Sequence, residues 1–390
     1  MYEDDFILNA ARINLSEKEI SCLQKLSSKN LDWDSLAIKA AKHGVQPLIY
    51  YSLKNNALDN LIPNNIFEIF KKDYYTNAVR NSLILEDLYQ LYSIVKEPVI
   101  PLKGVDLIQN LYPSIALRSM CDIDILVKKK NAEKIWKMLL KKGYRESNLF
   151  TIYKSGIHKK FSNLCYSSHH LSGLFSKYSL IEVHWNMFRE YEHYKFTEKA
   201  WNESISLDSS NHISRLSNEF MLIHLCSHFY QHLSDGPVFL RMLCDINEFI
   251  IKHYNTIHWD YINEIFTGSR LRTEISIALV YVHVLFKTPV PLYFIDKKIL
   301  NNKPITLDSL LNTRLVDKQK SVRIYNARIN KFQKPAEKII YIIRTIVPKK
   351  EWINHYYKTN QTNNIITAYL KFWVQLFYRY ILKKSITLEN

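Results

Sequence analysis

Cys121-Asp122-Ile123-Asp124-Ile125-Leu126-Val127 alternates acidic and aliphatic residues with a period of two, which predicts a β-strand carrying charge on one face. Asp122 and Asp124 leave the same side of such a strand, and Ile123 and Ile125 point into a core. Two carboxylates held a few ångströms apart repel unless a cation sits between them. Hard oxygen ligands at this spacing suit Mg²⁺ or Mn²⁺, which hold substrate phosphates while keeping several waters. An isolated Asp-Ile-Asp can equally be a solvated strand edge, so its surroundings decide.

Upstream, Pro98-Val99-Ile100-Pro101-Leu102 is a short apolar run ending at Lys103-Gly104, and Val105–Tyr112 reads as a helix that stops before Pro113. A helix that opens at Lys103-Gly104 presents backbone N–H groups and a dipole that favour phosphate. Arg118, just before the acidic strand, is a candidate to neutralise triphosphate charge. Downstream, Asn131–Lys142 is amphipathic and closes at Gly143, and Leu180–Trp185 is a second strand candidate. Glu182 on that strand supplies a third carboxylate, enough for two metals about 3.5–4 Å apart. His184 shares the face of Glu182. It reads either as a group that positions an acceptor or takes a proton, or as a structural histidine beside Trp185. The whole stretch predicts a β–α–β–α–β unit.

The flanks read as helical. Ser16-x-x-Glu19 is a capping-box pattern, Asp32 or Asp34 caps a segment that ends at Gly44, and Asn64–Lys96 contains neither Gly nor Pro. From about Ser217 the helical pattern returns over Asn218–Leu233, Arg241–Tyr254 and Leu271–Lys287, with Pro289 and Pro291 as a break. The expected fold class is α+β: a small mixed β-sheet core flanked by N-terminal and C-terminal helical domains. The regions are 1–96 (helical), 97–205 (core), 206–317 (helical) and 318–390 (basic, aromatic, helical).

The chain has 390 residues, 47% hydrophobic and 23% charged, which excludes a disordered chain. Only 7 glycines argue against Rossmann-style glycine loops. Lys plus Arg total 53 against 37 Asp plus Glu, a formal charge of +16, which points to an anionic partner. Most of it lies in 318–390, with 15 basic and 3 acidic residues. Over 318–350 the basic residues interleave with Tyr325, Phe332 and Tyr341. That pattern suits nucleic-acid contact, docking to an anionic protein or membrane, or a plain solvated surface. The five cysteines lack CxxC spacing and read as buried free thiols in a reducing cytoplasm. The acidic start Met1-Tyr2-Glu3-Asp4-Asp5 is unlike a signal peptide, and cytoplasmic localisation is expected. The most apolar windows are Ile275–Phe286, too short to span a bilayer, and Ile365–Leu382, which carries a polar stripe of Lys371, Gln375 and Arg379.

His224, His228 and His232 recur every four residues on one helical face, either as a zinc site or as a polar face lining a cleft. His169-His170 read as a surface pair or substrate contacts. Asp245 reads as a cap or ion-pair partner in the helical domain, or as a substrate contact.

Several ordered segments together resemble the uncharacterised nucleotidyltransferase-like family of the polymerase-β-type superfamily. They are Pro101-Leu102-Lys103-Gly104, Leu111-Tyr112-Pro113, Ala116 through Val127, Lys142-Gly143-Tyr144 and Ile181-Glu182-Val183-His184-Trp185. Leu222-Ile223-His224-Leu225-Cys226 with His228, Leu243-Cys244-Asp245-Ile246 and the His43-Gly44-Val45-Gln46-Pro47 core of Ala40–Leu48 extend the likeness to roughly residues 30–290. The resemblance implies Asp122, Asp124 and Glu182 as metal carboxylates and Gly104 at the phosphate turn. One departure stands out: better-characterised superfamily members place Gly-Gly or Gly-Ser before the helix and have a shorter run to the acidic pair. Here Lys103-Gly104 is followed by a gap of 17 residues (105–121), so Lys103 or Arg118 would compensate at the phosphates.

The function expected on this basis is metal-dependent transfer of a nucleoside monophosphate from an NTP such as ATP to an acceptor, with release of pyrophosphate. The acceptor class is open between small molecule, protein and RNA. The alternatives are a binding module of the same shape and a phosphotransferase using the same metal site.

Overall fold

The computed structural model describes residues 2–146, 173–188, 193–209, 212–235, 238–296, 305–312 and seven positions between 366 and 374. Residues Met1–Glu146 and His169–Leu315 form one compact unit, and Ser147–Ser168 with Val316–Asn390 form another. In the second unit the described positions are helical, with the Tyr369 and Trp373 rings 5.9 Å apart. The remainder of the expected basic block 318–390 and the pair His169-His170 lie outside the described residues.

The first unit begins with α1 (Tyr2–Ala10), α2 (Glu17–Ser27), α3 (Trp33–His43), α4 (Gln46–Asn55) and the long α5 (Asn64–Ile94). The capping signals operate as expected. Ser16 and Glu19 form a reciprocal capping box on α2, Asp32 accepts from the Ser35 amide 2.9 Å away, and Gly44 ends α3 in the left-handed region at φ +68°. The core follows with β1 (Val99–Pro101), α6 (Lys103–Asn110), β2 (Asp122–Val127), α7 (Lys129–Lys141), β3 (Arg145–Glu146), β4 (Leu174–Phe175) and β5 (Leu180–His184). Then come α8 (Tyr194–Asn202), the short pair β6 (Ile205–Ser206) and β7 (Ser214–Arg215), α9 (Asn218–Asp235), α10 (Leu240–His253), α11 (Trp259–Phe266), α12 (Arg270–Phe286) and α13 (Leu307–Asn312).

The sheet order is β1-β2-β5-β4-β3, so the acidic strand is internal. β1 runs antiparallel to β2, β2 runs parallel to β5, and β4 is antiparallel to both β5 and β3. The mixed sheet agrees with the expected α+β class. Strands β3, at the edge, and β4, beside it, are two residues long, too short for a period-two pattern to reveal them.

Two apolar clusters explain the register of β2. Ile123, Ile125, Ile181 and Val183 are fully buried with Ile84, Leu88 and Leu91 of α5 and Ile135 and Leu139 of α7. Each such side chain is worth roughly 1.5–3 kcal/mol of burial, and a slip of one residue would exchange these aliphatics for carboxylates. Leu126, on the same face as the acids, joins a larger cluster containing Phe6, Leu36, Leu48, Phe220, Leu243, Ile246 and Leu279. The acidic face of the sheet is therefore turned toward the layer in which N-terminal and C-terminal helices share one core. Buried free thiols were expected; Cys226 and Cys244 are buried, whereas Cys22 is half-buried and Cys121 is exposed beside the acidic pair. Among the described residues, no helix is long and apolar enough to cross a membrane.

Candidate active site

The parallel pairing of β2 with β5 places Asp124 directly opposite Glu182, and Leu126 opposite His184. A ligand atom from each of Asp124, Glu182 and His184 lies within 4.8 Å of the others, the metal-compatible cluster found among the described residues. His184 Nε2 lies 2.7 Å from Asp124 Oδ1 and 3.4 Å from Glu182 Oε2. Asp122 is on the same face but outside that 4.8 Å group; it is coupled by charge to Asp124, Glu182 and Lys103. The tight set is thus two carboxylates and an imidazole.

A cation already lies among these acids. Lys103 Nζ is 3.0 Å from Asp124 Oδ2, with the lysine side chain 13% and the aspartate 4% exposed. Burial opposes the Lys103 charge, but Asp124, Asp122 and Glu182 outweigh it and hold the ammonium above its ordinary pKa. Asp124 responds in the opposite sense: burial would raise it, and Lys103 with His184 drive it well below the usual carboxylate range. His184 is raised as well, its burial overcome by hydrogen bonding to Asp124 and Glu182. Asp122 goes the other way from Asp124, raised first by burial and then by repulsion from Asp124. Three carboxylates against one lysine leave a formal charge of −2 before His184 is counted, which suits a divalent ion. The donor set fits as well: carboxylates favour Mg²⁺ and Mn²⁺, and an imidazole leans toward softer ions.

The phosphate turn is built differently from expectation in one respect. Lys103 itself takes a left-handed backbone, φ +46°, which a non-glycine residue adopts at some cost, and α6 starts there without a side-chain cap. A Cβ on Gly104 would stand 2.5 Å from Arg118 Nη1 and 2.7 Å from Met120 Sδ, so glycine is needed for space. Arg118 is expected at the phosphates, and its Nη1 does lie against this turn. Its Nε, however, donates to both oxygens of Asp245 on α10 at 2.9 Å, and Tyr112 Oη donates to Asp245 Oδ1 at 2.8 Å. Asp245 is thus the partner that fixes Arg118.

The long gap between Gly104 and Asp122 is held from α5. Asn81 Nδ2 donates to the carbonyls of Ile115 (2.5 Å) and Arg118 (2.8 Å), and Asn77 Nδ2 to Ser119 Oγ (2.9 Å). Sequence reasoning missed both asparagines; the available signal is a pair of amides four apart in a long, otherwise ordinary helix. It also missed Arg241, one turn before Asp245.

The histidines of α9 form a ladder with ring centroids 6.5 Å apart for His224–His228 and 4.7 Å for His228–His232. They do not belong to the metal-compatible cluster found among the described residues. His224 is buried, and burial and then the Lys103 charge push its pKa down to about 3. Its neutral ring lies within electrostatic reach of Lys103, His184 and Asp124.

Acids on adjacent parallel strands, a glycine turn at a helix start and a guanidinium against it make a candidate metal and anion site in an α+β core. A family model described as uncharacterised nucleotidyltransferase matches residues 29–287, and the chain belongs to that family. No curated protein and no solved structure matches it. Family membership supports a nucleotidyl-transfer role and implies an NTP as substrate.

Proposed function

We propose that the chain moves a nucleoside monophosphate from an NTP to an acceptor hydroxyl, around a divalent cation held by Asp122, Asp124 and Glu182. The observation that carries this reading is the β2–β5 pairing that sets Asp124 beside Glu182, with His184 completing the cluster. The acceptor oxygen forms a bond to the α-phosphorus. The bond to the bridging oxygen breaks with its electrons on pyrophosphate, and the acceptor's proton passes to solvent. A bound Mg²⁺ or Mn²⁺ would neutralise phosphate charge and lower the pKa of the attacking group.

The chain's own groups do the rest. His184 Nε2 orients Asp124 through the 2.7 Å hydrogen bond, Lys103 offsets the charge of the carboxylates, and Arg118 Nη1 lies against the Gly104 turn. Catalysis is then largely positioning and charge neutralisation.

The test incubates the full chain with α- and γ-labelled NTPs, Mg²⁺ or Mn²⁺, and pools of protein, RNA and small metabolites. Label from the α-position on an acceptor, with pyrophosphate released and both lost in Glu182→Gln, is the expected result. Transfer of γ-label would instead make the site a phosphotransferase. No turnover, with salt-dependent nucleic-acid binding that disappears on deleting 318–390, would make the chain a binding module.

A further inference from the structure

The acidic face has a basic counterpart on α10. Arg241 sits at the start of that helix, half-buried, its guanidinium 4.7 Å over the Phe239 ring and against the backbone of Gly44, where a Cβ would stand 3.1 Å from Nη1. Phe239 and Gly44 hold the arm without consuming its charge. Asp245, one turn further along, is the acid best placed to pair with it. Both Asp245 oxygens, however, are already engaged by Arg118 Nε, and Tyr112 Oη adds a further bond. Among the described residues, no carboxylate lies within ion-pair distance of Arg241.

Arg241 and Asp245 are four apart on α10 and so share a face of that helix, and Arg118 reaches the same face through its bonds to Asp245 while its Nη1 lies against the Gly104 turn. Burial and then the neighbouring Arg118 charge lower its pKa. Asp245 is hydrogen-bonded to Arg118 and not to Arg241, so the Arg241 guanidinium keeps charge to offer, and a multivalent anion could bridge both groups.

We propose that Arg241, with Arg118 locked by Asp245, forms a polyphosphate subsite supplied by the helical layer. The anion would run from the carboxylate cluster past Asp122 toward α10, with Arg118 Nη1 at the Gly104 turn and Arg241 beyond it. This rests on the nucleotidyl-transfer reading and assigns Arg241 as an additional substrate-binding residue. Asp245 acts only through Arg118 and is a positioning residue.

The experiment measures binding of inorganic triphosphate, and separately of ATP with Mg²⁺, to the full chain and its Arg241→Gln and Arg241→Lys variants. Arg241→Gln is expected to weaken triphosphate binding about tenfold or more, as for loss of a charge-assisted hydrogen bond. It should also flatten the dependence of affinity on salt and raise KM for the NTP more than it lowers kcat. Arg241→Lys should fall between, because it keeps charge without the fork. If Arg241→Gln, or Arg241→Lys should the former not fold, binds triphosphate within twofold of the parent with an unchanged salt slope, the subsite is wrong. Triphosphate binding that depends on Arg241 in a protein that transfers no α-label would sink the nucleotidyl-transfer reading and leave the subsite standing. An unchanged KM in a variant that still transfers label would do the reverse.

Discussion

Asp122→Asn and Asp124→Asn should separate stability from activity, although the two residues look alike in sequence. Asp124 holds Lys103 Nζ at 3.0 Å and accepts from His184 Nε2 at 2.7 Å, and its carboxyl is held well below the usual range. Removing one partner of a buried ion pair costs roughly 3–5 kcal/mol, because the other charge is left uncompensated. Asp124→Asn is therefore expected to lose about that much stability, part of it recovered if Lys103 sheds its proton. Asp122 is the reverse case, raised by burial and by Asp124. The folded protein holds more protons there than the unfolded chain, so parental stability falls as pH rises above the ordinary carboxylate range. Asp122→Asn removes that fall and should leave stability at neutral pH unchanged or higher, while label transfer is lost in both variants. Urea unfolding followed by far-UV circular dichroism, run beside the α-label assay, reads both quantities. A loss in Asp122→Asn as large as in Asp124→Asn would refute the electrostatic argument, and persistent transfer in Asp122→Asn would refute the metal-site role.

Gly104→Ala must push Arg118 Nη1 or Met120 aside, and Arg118 is pinned by Asp245, so strain of roughly 1–3 kcal/mol is expected. A fall in kcat/KM of tenfold or more should accompany it, and steady-state kinetics with a fixed acceptor would check this. Glu248, buried on α10 with Arg12, Glu19 and Cys244 around it, has its carboxyl raised to about 7 from an ordinary 4.5, chiefly by burial. The folded state thus keeps the proton longer, and stability should decline as pH rises from 4.5 to 7, by up to about 3 kcal/mol. Denaturant unfolding of Glu248→Gln and the parent at pH 5 and pH 8 should show a smaller difference between the two pH values in the variant; parallel differences would rule the mechanism out.

Residues 97–205 were the most legible part of the chain because alternation and caps are local signals. Val99–Pro101 falls in the short apolar run, Asp122–Val127 in the period-two run and Leu180–His184 in the second strand candidate, and Gly143, at φ +95°, ends the helix before it as its position suggests. The long helix Asn64–Ile94 follows from the absence of breakers. The acidic pair and Glu182 could be named from the sequence because a charged face on a strand is visible in one dimension.

What those residues touch was not visible there. That Asp124 rather than Asp122 meets Lys103 and His184, and that Arg118 is fixed by Asp245 127 positions away, depends on register and on packing between segments remote in the chain. Asn77, Asn81 and Arg241 carry no local pattern at all. Their partners are assembled only when α5 and α10 pack beside the core, since ion pairs and hydrogen bonds answer to distance in space. Sequence alone determined the elements and the chemistry on offer. Tertiary structure decided which acid is paired, which is repelled, and which arginine is left with charge to spare.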